Sequence, residues 1–235
     1  MRILSALTTL TLAVSALALA QDPVPAEWRK ARNTQDRAAL ERISGGTQAA
    51  ANKSGNDANS QYRAALSESL RAEVLAEQKD KKASGAAAES GIRYAEKAVT
   101  LNPNNAEYHR LWGALCGQSI PASPLLFGLR YGHCAMDEVN KAIQLNPKSS
   151  MAWLSKGVGD SYLPASFGGD LEQALKDLEK AAQLDSGNAD AWLWQGIVLR
   201  KLNRNAEARK AFEKSLALDS TRVWAKEQLD KTPLQ

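Results

Sequence analysis

The sequence predicts an all-α protein, a right-handed solenoid of antiparallel helix pairs with a C-terminal capping helix. Three observations carry this. First, one helix ending recurs, as AVTLNP (98–103), AIQLNP (142–147), AAQLDS (181–186) and SLALDS (215–220), with Leu101, Leu145, Leu184 and Leu218 separated by 44, 39 and 34 residues. Second, small or apolar residues at Trp192, Gly196 and Leu199, then at Ala208, Phe212 and Ser215, put one stripe on each of two helices. Third, no alternating apolar–polar run of any length argues for a strand.

The stretch 188–220 sets the pattern. Its polar 201–205 segment reverses the chain without room for another element. Gly113, Gly157 and Gly196 each follow a repeat leucine by twelve residues. Second helices keep one register through Gly91/Ala95/Ala98, Ala135/Val139/Ala142, Ala174/Leu178/Ala181 and Ala208/Phe212/Ser215. With Trp192, Gly196, Ala208 and Phe212 at its signature positions, the chain resembles the tetratricopeptide-repeat (TPR) family over roughly its last two-thirds. The resemblance implies an architecture and a binding surface, not a reaction.

In chain order, residues 1–20 (MRILSALTTLTLAVSALALA) join one positive charge, an apolar stretch and a small-x-small ending before polar Gln21. That is the form of a secretory signal peptide cleaved near Ala20, predicting a periplasmic or secreted protein with no stable membrane insertion afterwards. A retained anchor is the competing reading, disfavoured by the internal Thr and Ser. Residues 21–57 form an N-terminal helical segment, with a helix start at Thr34-Gln35-Asp36 and a stop at Gly45-Gly46. The repeat domain spans 58–235. A helix from about Tyr62 to Glu77, a loop at 79–85 and a helix at 86–101 make its first pair. The others are 106–117 with 133–145, 150–162 with 170–184, and the pair in 188–220. Val223, Trp224 and Leu229 mark one face of a final helix that closes the open end.

Two insertions, at 117–133 and 162–170, fall between the helices of a pair, and each carries Pro-Ala-Ser followed by Phe-Gly. Equivalent loops of a stack lie side by side, so Leu125, Leu126, Phe127, Tyr131, Leu163 and Phe167 form one apolar edge. Either these loops are a lid finishing the core, or they border a pocket or groove lined by Tyr108, Trp112, Trp153, Asp160, Tyr162 and Trp192. Trp153 and Trp192 hold packing positions and are assigned to the core. The LPASFGGDLEQAL run (163–175) resembles exported bacterial TPR proteins, including the T component of tripartite (TRAP) transporters. That resemblance implies a partner of a periplasmic binding protein, with an apolar ligand cavity. Gln21, in place of a lipid-bearing Cys, departs from its lipoprotein members. AEKAVTLNPNNAEYHRLWGALCGQ (95–118) resembles the repeat domain of the regulator of microtubule dynamics family. A microtubule role conflicts with an export signal and is not carried over.

Composition and chemistry narrow the function. The net charge is +4, from 30 basic and 26 acidic residues, without a basic patch, so nucleic acid is not an expected partner. Cys116 and Cys134 bracket the long insertion at facing ends of a hairpin, and in an oxidising compartment a disulfide is expected. The alternative is two small buried thiols. His109 and His133 are too few for most metal sites, and His109 takes the packing position of Trp192. No nucleophile–base constellation, phosphate loop or cofactor motif is present, so no catalytic, metal or cofactor residue is assigned.

The expectation is a non-enzymatic exported scaffold. It binds a protein or peptide through its concave face, at Glu107, Arg110, Leu154, Val158, Leu193, Ile197 and Arg200, and through its insertion edge, at Leu125, Phe127 and Phe167. The alternative is a small-ligand-binding component of a periplasmic transporter, taking a small apolar ligand. A closed apolar cavity at Leu125, Phe127 and Phe167 favours the ligand, and an open surface favours a protein.

Overall fold

Eleven α-helices stack in sequence among the described residues, which are 24–163 and 169–234 of a computed structural model, with no strand among them. They are α1 (Ala26–Asn33), α2 (Arg37–Lys53), α3 (Ala58–Glu77), α4 (Lys81–Leu101), α5 (Ala106–Ser119), α6 (Pro124–Leu145), α7 (Ser150–Tyr162), α8 (Leu171–Leu184), α9 (Ala189–Lys201), α10 (Asn205–Leu218) and α11 (Val223–Asp230). A 3-10 turn, Ile120–Ala122, joins α5 to α6. The signal peptide predicted at 1–20 and the 164–168 part of the short insertion lie outside the described residues.

The fold is a TPR-like solenoid. Leu101, Leu145, Leu184 and Leu218 have equivalent surroundings, each ending its helix just before a C-cap. The N–H of that cap bonds back to Ala98, Ala142, Ala181 or Ser215. Asp57, Asn105, Ser149 and Asn188 then cap α3, α5, α7 and α9 by accepting from backbone N–H groups. Each such cap contributes about 1 kcal/mol. Within pairs, a glycine admits a bulky neighbour. A Cβ at Gly196 would lie 2.5 Å from the Phe212 ring, and those at Gly113 and Gly157 would meet Val139 and Leu178 at 2.8 and 2.7 Å.

Three expectations need correction. Gly45-Gly46 does not stop a helix, since α2 runs through both. Ser44 and Thr47 fasten that segment to α3, donating to Glu68 and pairing with Ser67, both at 2.7 Å. The loop placed at 79–85 is shorter, because Asp80 caps α4 through the Ala83 N–H. The 117–133 insertion is mostly helix. It prolongs α5 to Ser119 and starts α6 at Pro124, whose missing N–H and fixed φ suit a first helical turn.

The 21–57 segment supplies one more helix pair. α2 runs antiparallel to α3, with Gln61 Nε2 donating to the Ala51 carbonyl near one end and Arg37 pairing with Asp80 at the other. Trp28, Ala31 and Leu40 join the α3–α6 core, while α7–α11 bury a second cluster around Leu178, Leu193, Val198 and Phe212.

Candidate interaction surfaces

The first helices of successive pairs line the inner side, and there the ends of the solenoid meet. Arg32, in the last turn of α1, donates to Glu73 on α3 at 2.7 Å and to Asp190 on α9 at 2.8 Å. Asn33 donates to Asp219 at 2.6 Å and to Thr221 at 2.9 Å. Arg222, just before α11 and 2% exposed, donates to Glu73 at 2.9 Å and to both carboxylate oxygens of Glu77. These bonds tie residues up to 188 apart in sequence into one clasp.

Burial and the neighbouring Glu73 carboxylate push the Glu77 carboxyl up to about 7, against the pull of Arg222 and Arg32. Burial also opposes ionisation of Asp190, but the Arg32 guanidinium overrides it and holds that carboxyl below the usual range. Next to the clasp, Tyr162, Trp194 and Trp224 stack edge to face at 5.8 and 5.4 Å. Lys201 lies over Tyr162, and Arg222 over Trp224.

In this closed arrangement the residues expected to make concave contacts are buried or already paired. Arg110, Leu154, Leu193 and Ile197 are buried, because the first helices pack against one another on a tightly curled inner face. Glu107 is held by Arg110 and accepts from Tyr62. Arg200 bonds Gln228, and Val158 is half-buried against the second core. The aromatic assignments divide. Trp153 and Trp192 donate their indole N–H to the carbonyls of Pro147 and Ser186, six residues back, as His109 does to Pro103. One packing position thus recurs in three repeats. Tyr108 is buried against Tyr62, Trp112 packs on the first core, and Asp160 pairs with Lys156.

The insertion edge is different. Aligned on Leu145 and Leu184, α6 starts eight residues before the matching point of α8 (145 − 124 = 21 against 184 − 171 = 13), about two turns earlier. Along these turns Leu125, Leu126 and Leu129 are 81%, 61% and 78% exposed, while Phe127 and Tyr131 turn inward against the first core. Cys116 and Cys134 are joined by a disulfide with Cα atoms 6.0 Å apart, which fastens α6 to α5 below this surface. Leu125 therefore stands open, with no enclosed cavity around it. Phe167 lies outside the described residues. Leu129 completes the surface; the Pro and Gly around it give 117–133 the look of a loop, and its spacing of four from Leu125 is the signal that places it on the same helix face.

A cleft of about 70 Å³ lies among Pro25, Tyr62, Arg63 and Tyr108, far below the several hundred Å³ of an organic-ligand pocket. No group of three or more potential metal ligands occurs among the described residues. None of the described helices is long and apolar enough to cross a membrane.

A tetratricopeptide-repeat family model matches residues 168–229, in the second core. Regulator of microtubule dynamics protein 3 of Bos taurus is 27% identical over 145 residues, which are 55% of this chain and 31% of that protein. Its Rattus norvegicus counterpart is 26% identical over 165 residues, 63% of this chain and 34% of that protein. The chain thus spans about a third of the length of these relatives. Among solved structures, YrrB, described as a TPR protein with an unusual peptide-binding site, is 16% identical with a TM-score of 0.45, covering 85% of this chain and 96% of that one. TTC0263, a thermophilic TPR protein of Thermus thermophilus, is 17% identical with a TM-score of 0.48, covering 64% and 80%. The model of regulator of microtubule dynamics protein 1-3 matches residues 24–158, more than half of the chain, and the protein belongs to that family.

Proposed function

We propose that this protein is an exported, non-catalytic scaffold that binds a partner protein through its insertion edge, with the inner face held shut by the clasp. One observation carries the reading: three leucines stand open on the first turns of one helix. Scattered exposed leucines are ordinary, but a cluster on a rigid, disulfide-fastened helix marks a contact surface. Export rests on the leader-like 1–20 segment and agrees with a disulfide. The microtubule activity in the relatives' name belongs to proteins about twice as long and is not part of this reading.

The test compares proteins recovered from the exported fraction with wild-type chain as bait and with Leu125→Glu/Leu129→Glu. A partner lost with the double variant, at unchanged helicity and melting temperature, supports the insertion edge. A partner retained by it, but lost when Trp194 is replaced by Ala, moves the site to the inner face.

A further inference from the structure

The exposed face of α6 has a self-complementary register, and we infer that its partner is a second copy of this chain, pairing α6 against α6 about a two-fold axis. This deepens the scaffold reading and rests on it. Leu125, Leu129, Gly132 and Met136 fall within one narrow stripe of the helix, at intervals of four, three and four residues. The three large side chains in it are exposed. A Cβ built at Gly132, or at Gly128 beside it, meets nothing within 4 Å, so the backbone there lies open to close approach.

In an antiparallel pair about a two-fold axis, facing positions have a constant sum. Setting Leu129 over the gap at Gly132 of the other copy fixes that sum at 261 (129 + 132). The same sum brings Leu125 against Met136 (125 + 136), so one register pairs knobs with both a gap and an apolar neighbour. Shape alone sets the register.

Sedimentation velocity and light scattering on the mature chain, at tens of micromolar, test this. The wild type is expected to be a dimer. Leu129→Glu and, separately, Gly132→Leu are expected to give monomers with unchanged helicity and melting temperature. Leu129→Cys, close to the axis, is expected to cross-link into a covalent dimer under mild oxidation, while Lys141→Cys, three turns away, does not. A monomeric wild type overturns the inference, as does a dimer that both Leu129→Glu and Gly132→Leu leave intact. A monomer that binds phosphatidylcholine–phosphatidylglycerol vesicles through Leu129 also overturns it and gives the face to lipid. If the chain is monomeric but Leu125→Glu/Leu129→Glu still abolishes recovery of a partner, self-pairing fails and the scaffold reading stands.

Discussion

The two cores of this solenoid share one steric pattern and differ in how many buried polar bonds they add to it. In α7–α11 Gly196 admits the Phe212 ring, Gly157 admits Leu178, and leucines fill the rest, with Gln195 donating to the Leu178 carbonyl. In α1–α6 Gly113 admits Val139 in the same way, and more buried polar groups join the helices. Glu68 is fully buried, accepting from Ser44 and Gln48 and paired with Arg71 at 3.2 Å. Gln61 and Ser84 each donate to a carbonyl of the neighbouring helix, Ala51 and Ala72, at 2.8 Å. A steric core repeats with the helix pair, because the same hole must meet the same knob. A polar core specifies position bond by bond and is free of that period. The clasp couples the two.

The largest expected effect comes from cutting that coupling. Arg222→Met leaves buried Glu77 without its guanidinium partner and next to Glu73, which Arg32 still holds; removing one partner of a buried ion pair costs about 3–5 kcal/mol. Chemical denaturation should then separate into two transitions, one per core. Combining the change with Glu77→Leu should recover part of the loss, because no buried charge of that pair remains unpaired. A single transition at unchanged midpoint for Arg222→Met would show that the cores are coupled elsewhere.

The next effect is confined to one core. Replacing Cys116 and Cys134 together by Ser opens an 18-residue separation, and the chain-entropy estimate for a loop of this size is about 3 kcal/mol. Hydrogen exchange should quicken in α5 and α6 and remain unchanged in α9 and α10. Uniform quickening along the chain would mean that the cores do not behave as separate units.

The contrast also explains what was legible beforehand. The all-α repeat, the four pairs after residue 58 and the capping helix follow from leucine spacing and small-residue register, and steric packing preserves both. The α1–α2 segment was legible as helical but not as one more pair of the stack. Its fixed points are Ser44, Gln48 and Glu68, polar residues that pattern reading places on the surface, and Gly45-Gly46 imitates a stop. The insertion edge was half legible: its apolar content was visible, its helical form was not, because Pro124 suggests a break and in fact starts α6. The closed inner face was not legible for a different reason. Closure depends on Arg32 meeting Asp190, and Arg222 meeting Glu77, and no local pattern encodes a contact across so much chain.

A smaller effect sharpens the role of the clasp through pH. The folded Glu77 carboxyl sits at about 7, against 4.5 for an unperturbed glutamate. Between these values the folded state holds a proton that the unfolded chain has released. Stability is therefore greatest at the acid end of this window and falls as pH rises towards 7, by no more than about 1.4 kcal/mol per pH unit for one proton. Asp190 acts in the opposite sense at lower pH: its contribution is present above the ordinary aspartate range and is lost as pH falls through its lowered value. Denaturation midpoints from pH 4.5 to 7.5 should show the decline in the wild type and lose it in Glu77→Gln. A decline of equal slope in Glu77→Gln would assign the proton to another group.

The smallest effect separates the two kinds of glycine. Gly46 lies inside α2, and a Cβ there meets nothing within 4 Å. Alanine at such a helix position restricts the unfolded chain and forms helix more readily, so Gly46→Ala should stabilise by about 0.5–1 kcal/mol. No steric core needs that glycine, whereas Gly196 has the Phe212 ring where its Cβ would go. The gain should appear in the transition of the first core alone. A destabilised Gly46→Ala would mean that a second surface packs on α2 there, and the polar account of the first core would then be incomplete.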